Sequence, residues 1–372
     1  MTFQFRYPKK VTLGDITIRD GFQHEEKLIS TDAKVYYAEQ LVLAGFRRLE
    51  VTNLGNPAGM PQFRDADEVL RRIRTSRVLH KAGIDVARDV EITAVTIREK
   101  SVDRAVALRR EGVGPDRILM MVSTDEEHHF ANSGLTLPEY WREAERCIAK
   151  AKGAGMKFNG TVSTIWGSPI SGPTDMRDAV AFTRRWLEMG ADDVEHADHD
   201  GSASPDQVYR YFSMLLEAIP RAEAHLAHFH VTRGWGLANV LAALQAGISV
   251  FESTLGGLGG QPANFVGDTP VPGTGDYYYN AEGVGLVSTE DMVLMMEEMG
   301  IETGIDLERL FRIGRNMEKT IGRRLRSSSI LHGRIPRDPN EDYRRKGLSE
   351  RKTALGEKPG QCFPEEEGGQ AK

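Results

Sequence analysis

Two hydrophobic rhythms alternate along this chain. Short runs rich in Val, Ile, Leu and Phe, bounded by Gly, Asn, Asp and Pro, predict strands at 11–18, 46–52, 90–96, 117–123, 156–163, 193–198, 224–230 and 248–253. Between most of them, apolar residues recur every three or four positions, which predicts helices. Ser30-Thr31-Asp32 caps the first, which runs to about Ala44 and is stopped by Gly45. Others are predicted near 66–74, 102–111, 137–154, 174–188, 205–219 and 237–246, with a last one near 289–299. One or two more are expected within 306–325, before the chain turns charged and rich in Pro and Gly beyond about His332.

Strand–helix alternation demands parallel strands joined by right-handed crossovers. Eight such units fit a closed (β/α)8 barrel, which typically takes about 250 residues. The alternative is an open doubly wound sheet. No Gly-x-Gly-x-x-Gly follows the first strand and no Gly-Lys-Ser/Thr phosphate loop occurs, so the nucleotide-binding forms of that sheet lose support. The expected architecture is an α/β TIM barrel over 8–325 with extra C-terminal helices, then a loosely ordered charged tail over 333–372 or an arm that clasps a second copy.

Composition narrows the partners. The 372 residues carry a net charge of −6 without long blocks of one sign before the tail, so neither nucleic acid nor a membrane is expected as a partner. The two cysteines, Cys147 and Cys362, lie too far apart in character and position to suggest a disulfide framework or a thiolate metal site. With no apolar leader at Met1–Arg6, a cytoplasmic protein is expected.

Chemistry enters at the run His228-Phe229-His230. Residues two apart in a strand share a face, so both imidazoles project together from the strand's C-terminal end. Such a pair suits a divalent metal, although two hydrogen-bonded core histidines would read the same way. In a TIM barrel the active site gathers at the strands' C-terminal ends. Those ends deliver Asp15, Arg19 and Asp20 from the first strand, and Glu50 and Asn53 from the second. Ser163 comes from the fifth, Glu195, Asp198 and Asp200 from the sixth, and the histidines from the seventh. So many charges around one axis need a compensating centre. Asp20, His228 and His230 offer one oxygen and two nitrogens, a set that accommodates Mg²⁺, Mn²⁺, Zn²⁺ or Co²⁺. Arg19 beside them would face charge developing on a carbonyl oxygen.

These motifs resemble a known family. Arg19-Asp20-Gly21-Phe22-Gln23 resembles the Arg-Asp-Gly-x-Gln signature of metal-dependent lyases and Claisen synthases on a TIM barrel. Leu49-Glu50-Val51-Thr52 resembles the second-strand Glu motif, and Ser163-Thr164-Ile165-Trp166-Gly167-Ser168-Pro169 the fifth-strand loop of 3-hydroxy-3-methylglutaryl-CoA lyases. His228 to Asn239, the glycine loop Gly256-Gly257-Leu258-Gly259-Gly260-Gln261-Pro262 and the segments after Ser288 and Met299 continue the likeness in the same order. The lyase branch fits better than the isopropylmalate-synthase branch. The resemblance implies retro-Claisen or retro-aldol cleavage of a CoA thioester or hydroxy acid, by a homo-oligomer using Mg²⁺ or Mn²⁺ in preference to Zn²⁺ or Co²⁺. It implies metal binding by Asp20, His228 and His230, enolate stabilisation by Arg19, and acid–base or orienting roles for Glu50, Asp15 and Asp198. Gln23, Ser163, Arg233 and Gln261 are expected to contact substrate.

Departures from the pattern bear on the substrate. Gln261 stands where the lyases carry a proposed acid–base cysteine, and an amide shuttles no protons near neutral pH. The family's Asn metal ligand has no clear match, Asn280 lying a few residues early. Val231 and Arg233 replace an Asp and an aromatic residue, and a longer loop carries Tyr277-Tyr278-Tyr279. His24 stands where Asn is common and is a candidate proton donor in the cysteine's place, as is one of the tyrosines. A more carboxylated or bulkier substrate is therefore expected. Plainer readings accompany several residues: Asp198 and Asp200 can cap the helix after them, His128-His129 is expected on an exposed loop, and Gly256–Gly260 is either a lid or a tight turn. The rival functions are an acyl-CoA condensing synthase, a 4-hydroxy-2-oxo acid aldolase, and a barrel that binds metal or metabolite without turnover.

Overall fold

In the computed structural model, the residues described are 7–23, 25–168, 170–259, 265–266, 269–270 and 285–335. Contacts divide the chain into one compact unit, Met1–Leu331, which holds the barrel, and a second, His332–Lys372.

Eight parallel strands close into a barrel: β1 (Thr12–Asp15), β2 (Arg48–Asn53), β3 (Glu91–Val95), β4 (Arg117–Ser123), β5 (Lys157–Ser163), β6 (Asp193–Asp198), β7 (His225–Phe229) and β8 (Val250–Ser253). Each pairs with its sequence neighbours, and β8 returns to β1 through Thr12↔Val250 to Asp15↔Ser253. Helices pack around it, including Thr31–Leu43, Glu99–Arg110, Leu137–Gly153, Met176–Glu188, Pro205–Ala218 and Gly236–Ala246. This is the (β/α)8 barrel that the alternation predicts. Thr289–Glu298, Leu307–Ile321 and Ser328–His332 follow as the extra C-terminal helices. Among the described residues, no helix is long and apolar enough to cross a membrane.

The strand faces sort by chemistry along the barrel axis. Its N-terminal end is closed by ion pairs: Arg48 to Glu91 at 2.9 Å, Arg117 to Glu91 at 2.8 Å, and Arg117 to Asp193. Asn159 donates to Asp193 at 2.7 Å, completing this buried floor. Outside the strands lies a continuous apolar layer, in which Trp186 sits fully buried against Trp141 (ring centroids 4.8 Å apart) and Phe158 (5.7 Å). Gly160 on β5 is what lets Trp186 approach, since a Cβ there would lie 2.3 Å from the indole Cγ. Gly160→Ala is expected to destabilise the fold by about 1–3 kcal/mol through overpacking. Urea unfolding would register this as a lower midpoint; an unchanged midpoint would mean that Trp186 can move aside.

Two local expectations fail for identifiable reasons. The first strand does not continue to Ile18. The Asp15 carboxylate accepts a hydrogen bond from the Thr17 backbone N–H at 2.9 Å, and the chain turns at once into a wide helical turn, Thr17–Gly21, in which the Asp20 and Gly21 amides both donate to the Ile16 carbonyl. Side-chain-to-backbone bonds of this kind compete with the strand ladder. Second, His128-His129 is not on an exposed loop. Asp125 caps a helix, Glu126–Ser133, which turns both histidines inward to 0 % and 1 % exposure. His128 Nδ1 lies 2.7 Å from Ser123 Oγ, so these imidazoles exchange water for protein partners.

Candidate active site

The turn after β1 and the end of β7 bring the three proposed ligands together. Ligand atoms of Asp20, His228 and His230 lie within 4.8 Å of one another, all three residues buried. His228 Nε2 and His230 Nε2 face each other at 3.2 Å. Arg19 leaves the same turn and binds Asp20 Oδ2 through Nη1 at 2.7 Å and the Glu50 carboxylate through Nε. Glu50 reaches it from β2 at a bulge, where the pairing with β3 shifts between Glu50↔Thr93 and Thr52↔Ala94. Bulges next to active sites commonly re-aim a side chain in this way.

Two further carboxylates complete the cluster: Glu195, which strand position already set at the barrel mouth, and Glu252, which it did not. Glu195 on β6 brings Oε1 to 3.3 Å from His228 Nδ1, and Glu252 on β8 brings Oε2 to 3.7 Å from the same atom. Glu252 is the register partner of His228 across the β7–β8 ladder. Together with His228 these two form a second group of ligand atoms within 4.8 Å.

Burial and crowding shape the electrostatics. Burial raises the Glu195 carboxyl to about 8, with Glu252 adding repulsion. Burial likewise raises Glu50, the repulsion of Glu252 and Asp20 adding to it and Arg19 opposing it. Asp15 rises to about 7 by burial, against hydrogen bonds from Thr17 and Thr289. For His228, burial disfavours the imidazolium, but Glu195, Glu252 and Asp20 outweigh it and lift the group to about 9. His230 is pushed well down by burial and then by His228.

These features fit a divalent cation. Four carboxylates (Asp20, Glu50, Glu195 and Glu252) surround one guanidinium, so positive charge is in deficit within a buried space. His230 Nδ1 is buried without a hydrogen-bond partner, His228 Nδ1 faces two carboxylates, and the two Nε2 atoms confront one another. A metal accepting lone pairs from imidazole and carboxylate would relieve both conditions.

A cavity of about 570 Å³ opens over the cluster, lined by Arg19, Asp20, Gln23, Glu195, His199, His228 and His230 among others. Of the other residues singled out from the sequence, Asp15 lies below, fully buried and bonded to Thr17 and Thr289. Ser163 is buried against Ser123 at 3.0 Å, away from the cavity lining. Asp198 accepts from the Ser202 and Ala203 amides at 3.2 and 3.3 Å and so braces the loop before Pro205, while Ser204 itself caps that helix with Gln207. Arg233 is exposed, its guanidinium 5.5 Å from the Trp235 ring. His24, Gln261, Asn280 and Tyr277–Tyr279 lie outside the described residues. Gly256 and Gly257, both at positive φ, form a tight turn, and a Cβ on Gly256 would strike Leu325 at 2.4 Å.

A barrel whose strand ends present a carboxylate, two imidazoles and an ion-paired guanidinium defines the class of TIM-barrel metallolyases. The chain belongs to the HMGL-like family, whose model matches residues 10–317. It is 30% identical over 324 residues to a hydroxymethylglutaryl-CoA lyase of Bacillus subtilis (strain 168), covering 87% of this chain and 97% of that protein. An (R)-citramalyl-CoA lyase of Chloroflexus aurantiacus is 28% identical over 317 residues, covering 85% of this chain and 92% of that protein. Among solved structures, an HMG-CoA lyase from Acinetobacter baumannii in complex with coenzyme A and 3-methylmalate superposes with a TM-score of 0.76 at 30% identity, covering 91% of this chain and 98% of that one. The chain is a carbon–carbon lyase, and the divalent-metal dependence of its family matches the cluster of Asp20, His228 and His230.

Proposed function

We propose that this enzyme cleaves 3-hydroxy-3-methylglutaryl-CoA or a close relative by retro-Claisen chemistry, with Mg²⁺ or Mn²⁺ held by Asp20, His228 and His230. The observation that carries the proposal is the convergence of those three ligands, within 4.8 Å, beside an arginine that two carboxylates hold in place. No thiolate belongs to the ligand set, and carboxylate donors suit Mg²⁺ and Mn²⁺. The bound cation supplies Lewis-acid polarisation of substrate oxygens.

The remaining work falls to the chain's own residues. Arg19 points its charge at the thioester carbonyl oxygen, where negative charge develops as the carbon–carbon bond breaks. Glu50 and Asp20 orient its guanidinium. Asp15 fixes the turn that carries both Arg19 and Asp20, through its bond from the Thr17 amide. Asp198 acts as a positioning residue for the loop after β6. The substrate hydroxyl gives its proton to a base, its oxygen lone pair becomes the new carbonyl, and the bond electrons pass to the acyl-CoA enolate. His199 lines the cavity, and we assign it to receive that proton. His24, close after the Arg19 turn, is our candidate to return a proton to the enolate carbon. Gln23 contributes substrate contacts from the cavity wall, and Ser163, Arg233 and Gln261 are the further substrate contacts proposed from their place in the sequence.

Chelated and reconstituted enzyme provide the test. Acetyl-CoA release from 3-hydroxy-3-methylglutaryl-CoA should disappear on removal of metal and return with Mn²⁺ or Mg²⁺. Release that survives complete metal removal would refute the proposal. A condensing synthase would instead liberate free CoA from acetyl-CoA and a 2-oxo acid. We further read the protein as a cytoplasmic homo-oligomer with its lyase domain at 8–325, a setting that suits the free, buried Cys147.

A further inference from the structure

The cavity over the ligand cluster has two unlike sides. The charged side comes from the β1 turn, β6 and β7, and carries Arg19, Asp20, Glu195, His228 and His230. The opposite side comes from β3, β4 and the helix Leu137–Gly153: Val95, Ile97, Leu119 and Met121 are hydrocarbon, joined by Met60 from the loop after β2, while the hydroxyls of Thr96 and Tyr140 that share it already donate to the Leu119 and Met121 carbonyls. The ladder explains this wall. Leu119 and Met121 are two apart on β4 and face the same side, and Val95 sits level with Leu119 across the β3–β4 pairing. The next strand offers only Thr161 opposite Met121, and Ala197 is smaller still, so the wall is recessed.

Such a wall selects what can lie against it. Among the described residues lining the cavity, Arg19 is the single guanidinium or ammonium, and Glu50 and Asp20 already hold it. A second carboxylate turned toward β3 and β4 would be buried there without a cation, beside hydroxyls that already donate to backbone carbonyls, a costly arrangement. An aliphatic group would gain by leaving water there. The volume of about 570 Å³ lies in the range of pockets that enclose whole drug-sized ligands, about 300–1,000 Å³. The four side chains of Val95, Ile97, Leu119 and Met121 offer more apolar surface than a single methyl covers. Of the two directions that the sequence departures suggested, more carboxylated or bulkier, the wall favours the second.

We infer that the β3–β4 wall is a subsite for an alkyl group on the hydroxyl-bearing carbon, and that the substrate is a 3-hydroxyglutaryl-CoA whose C3 substituent is longer than methyl. The inference rests on the lyase reading above for the reaction itself. With a C3 propyl group, cleavage breaks the C2–C3 bond, C3 becomes the carbonyl of a 3-oxo acid that keeps the propyl chain, and C2 leaves in acetyl-CoA. Both the methyl and the propyl substrate therefore release the same thioester.

That shared product makes the test direct. Metal-loaded full-length enzyme is assayed with 3-hydroxy-3-methylglutaryl-CoA and 3-hydroxy-3-propylglutaryl-CoA, reading acetyl-CoA from each. A methylene in an apolar pocket is worth about tenfold or more in kcat/KM, so the propyl substrate is expected to lead by at least about tenfold. Met121→Phe, which fills the recess, should lower the propyl-to-methyl ratio by about tenfold or more. A propyl substrate equal to or worse than the methyl one overturns the inference and leaves the lyase reading standing. A ratio unmoved in an active Met121→Phe enzyme overturns the location of the subsite. If Met121→Phe does not fold, Leu119→Phe asks the same question from the neighbouring position. No acetyl-CoA from either substrate overturns the lyase reading and the inference with it.

Discussion

His228→Ala is expected to lose its bound divalent metal and to lower kcat/KM by about a thousandfold or more. His228 is the residue at which the two halves of the cluster meet. Its Nε2 faces His230 at 3.2 Å, while its Nδ1 faces Glu195 at 3.3 Å and Glu252 at 3.7 Å. Removing the ring deletes one of the three proposed ligands and the group that two buried carboxylates face. Partners behind a metal ligand commonly cost about 10- to 100-fold in affinity when lost, and the ligand itself should cost more. Metal analysis of the purified variant, alongside steady-state kinetics, checks both parts. A variant that keeps one metal per chain and stays within tenfold of the parent would remove His228 from the ligand set. Asp20→Asn provides the parallel case from the other element, with Arg19 then short of one of its two carboxylates.

Arg19→Met is expected to lower kcat by about a hundred- to a thousandfold while metal remains bound, the range seen when a donor to a developing oxyanion is deleted. The same change leaves Glu50 and Asp20 without their guanidinium, and breaking a buried pair by removing one partner typically costs about 3–5 kcal/mol. Stability and catalysis must therefore be separated. Arg19→Lys keeps the charge but not the planar fork that reaches Glu50 through Nε and Asp20 through Nη1. It should recover most of the thermal stability and still turn over at least about tenfold more slowly than the parent. Full recovery of kcat in Arg19→Lys would make Arg19 a source of charge balance only.

The parts of the site that were legible in the sequence are those in which position follows from strand ends. Arg19-Asp20 after β1, Glu50 on β2 and His228-Phe229-His230 on β7 could all be set at the barrel's C-terminal mouth once the βα alternation was recognised. What stayed hidden depends on register and facing. Glu252 lies within Val250-Phe251-Glu252-Ser253, a strand buried on both sides, where alternation does not reveal which face points inward; only its pairing with His228 does. Leu119 and Met121 hide for the same reason among Ile118, Met120 and Val122, and the substrate-facing wall reads as ordinary strand hydrophobics. His128 and His129 read as an exposed loop because no strand face aligns them with the other site residues. Their burial depends on packing of His128 against His199 (ring centroids 4.8 Å apart) and of His129 against Tyr140 (4.5 Å), partners that no local pattern announces. The early end of β1 likewise turns on one side-chain bond, from the Thr17 amide to Asp15.

The chemistry itself is open to one direct measurement. Metal-loaded enzyme turning over 3-hydroxy-3-methylglutaryl-CoA in D₂O should release acetyl-CoA carrying a single deuterium in its methyl group, read by mass spectrometry. The deuterium marks an enolate carbon protonated from an exchangeable donor after the carbon–carbon bond has broken. Free CoA in place of acetyl-CoA, or acetyl-CoA without deuterium, would contradict cleavage through an enolate.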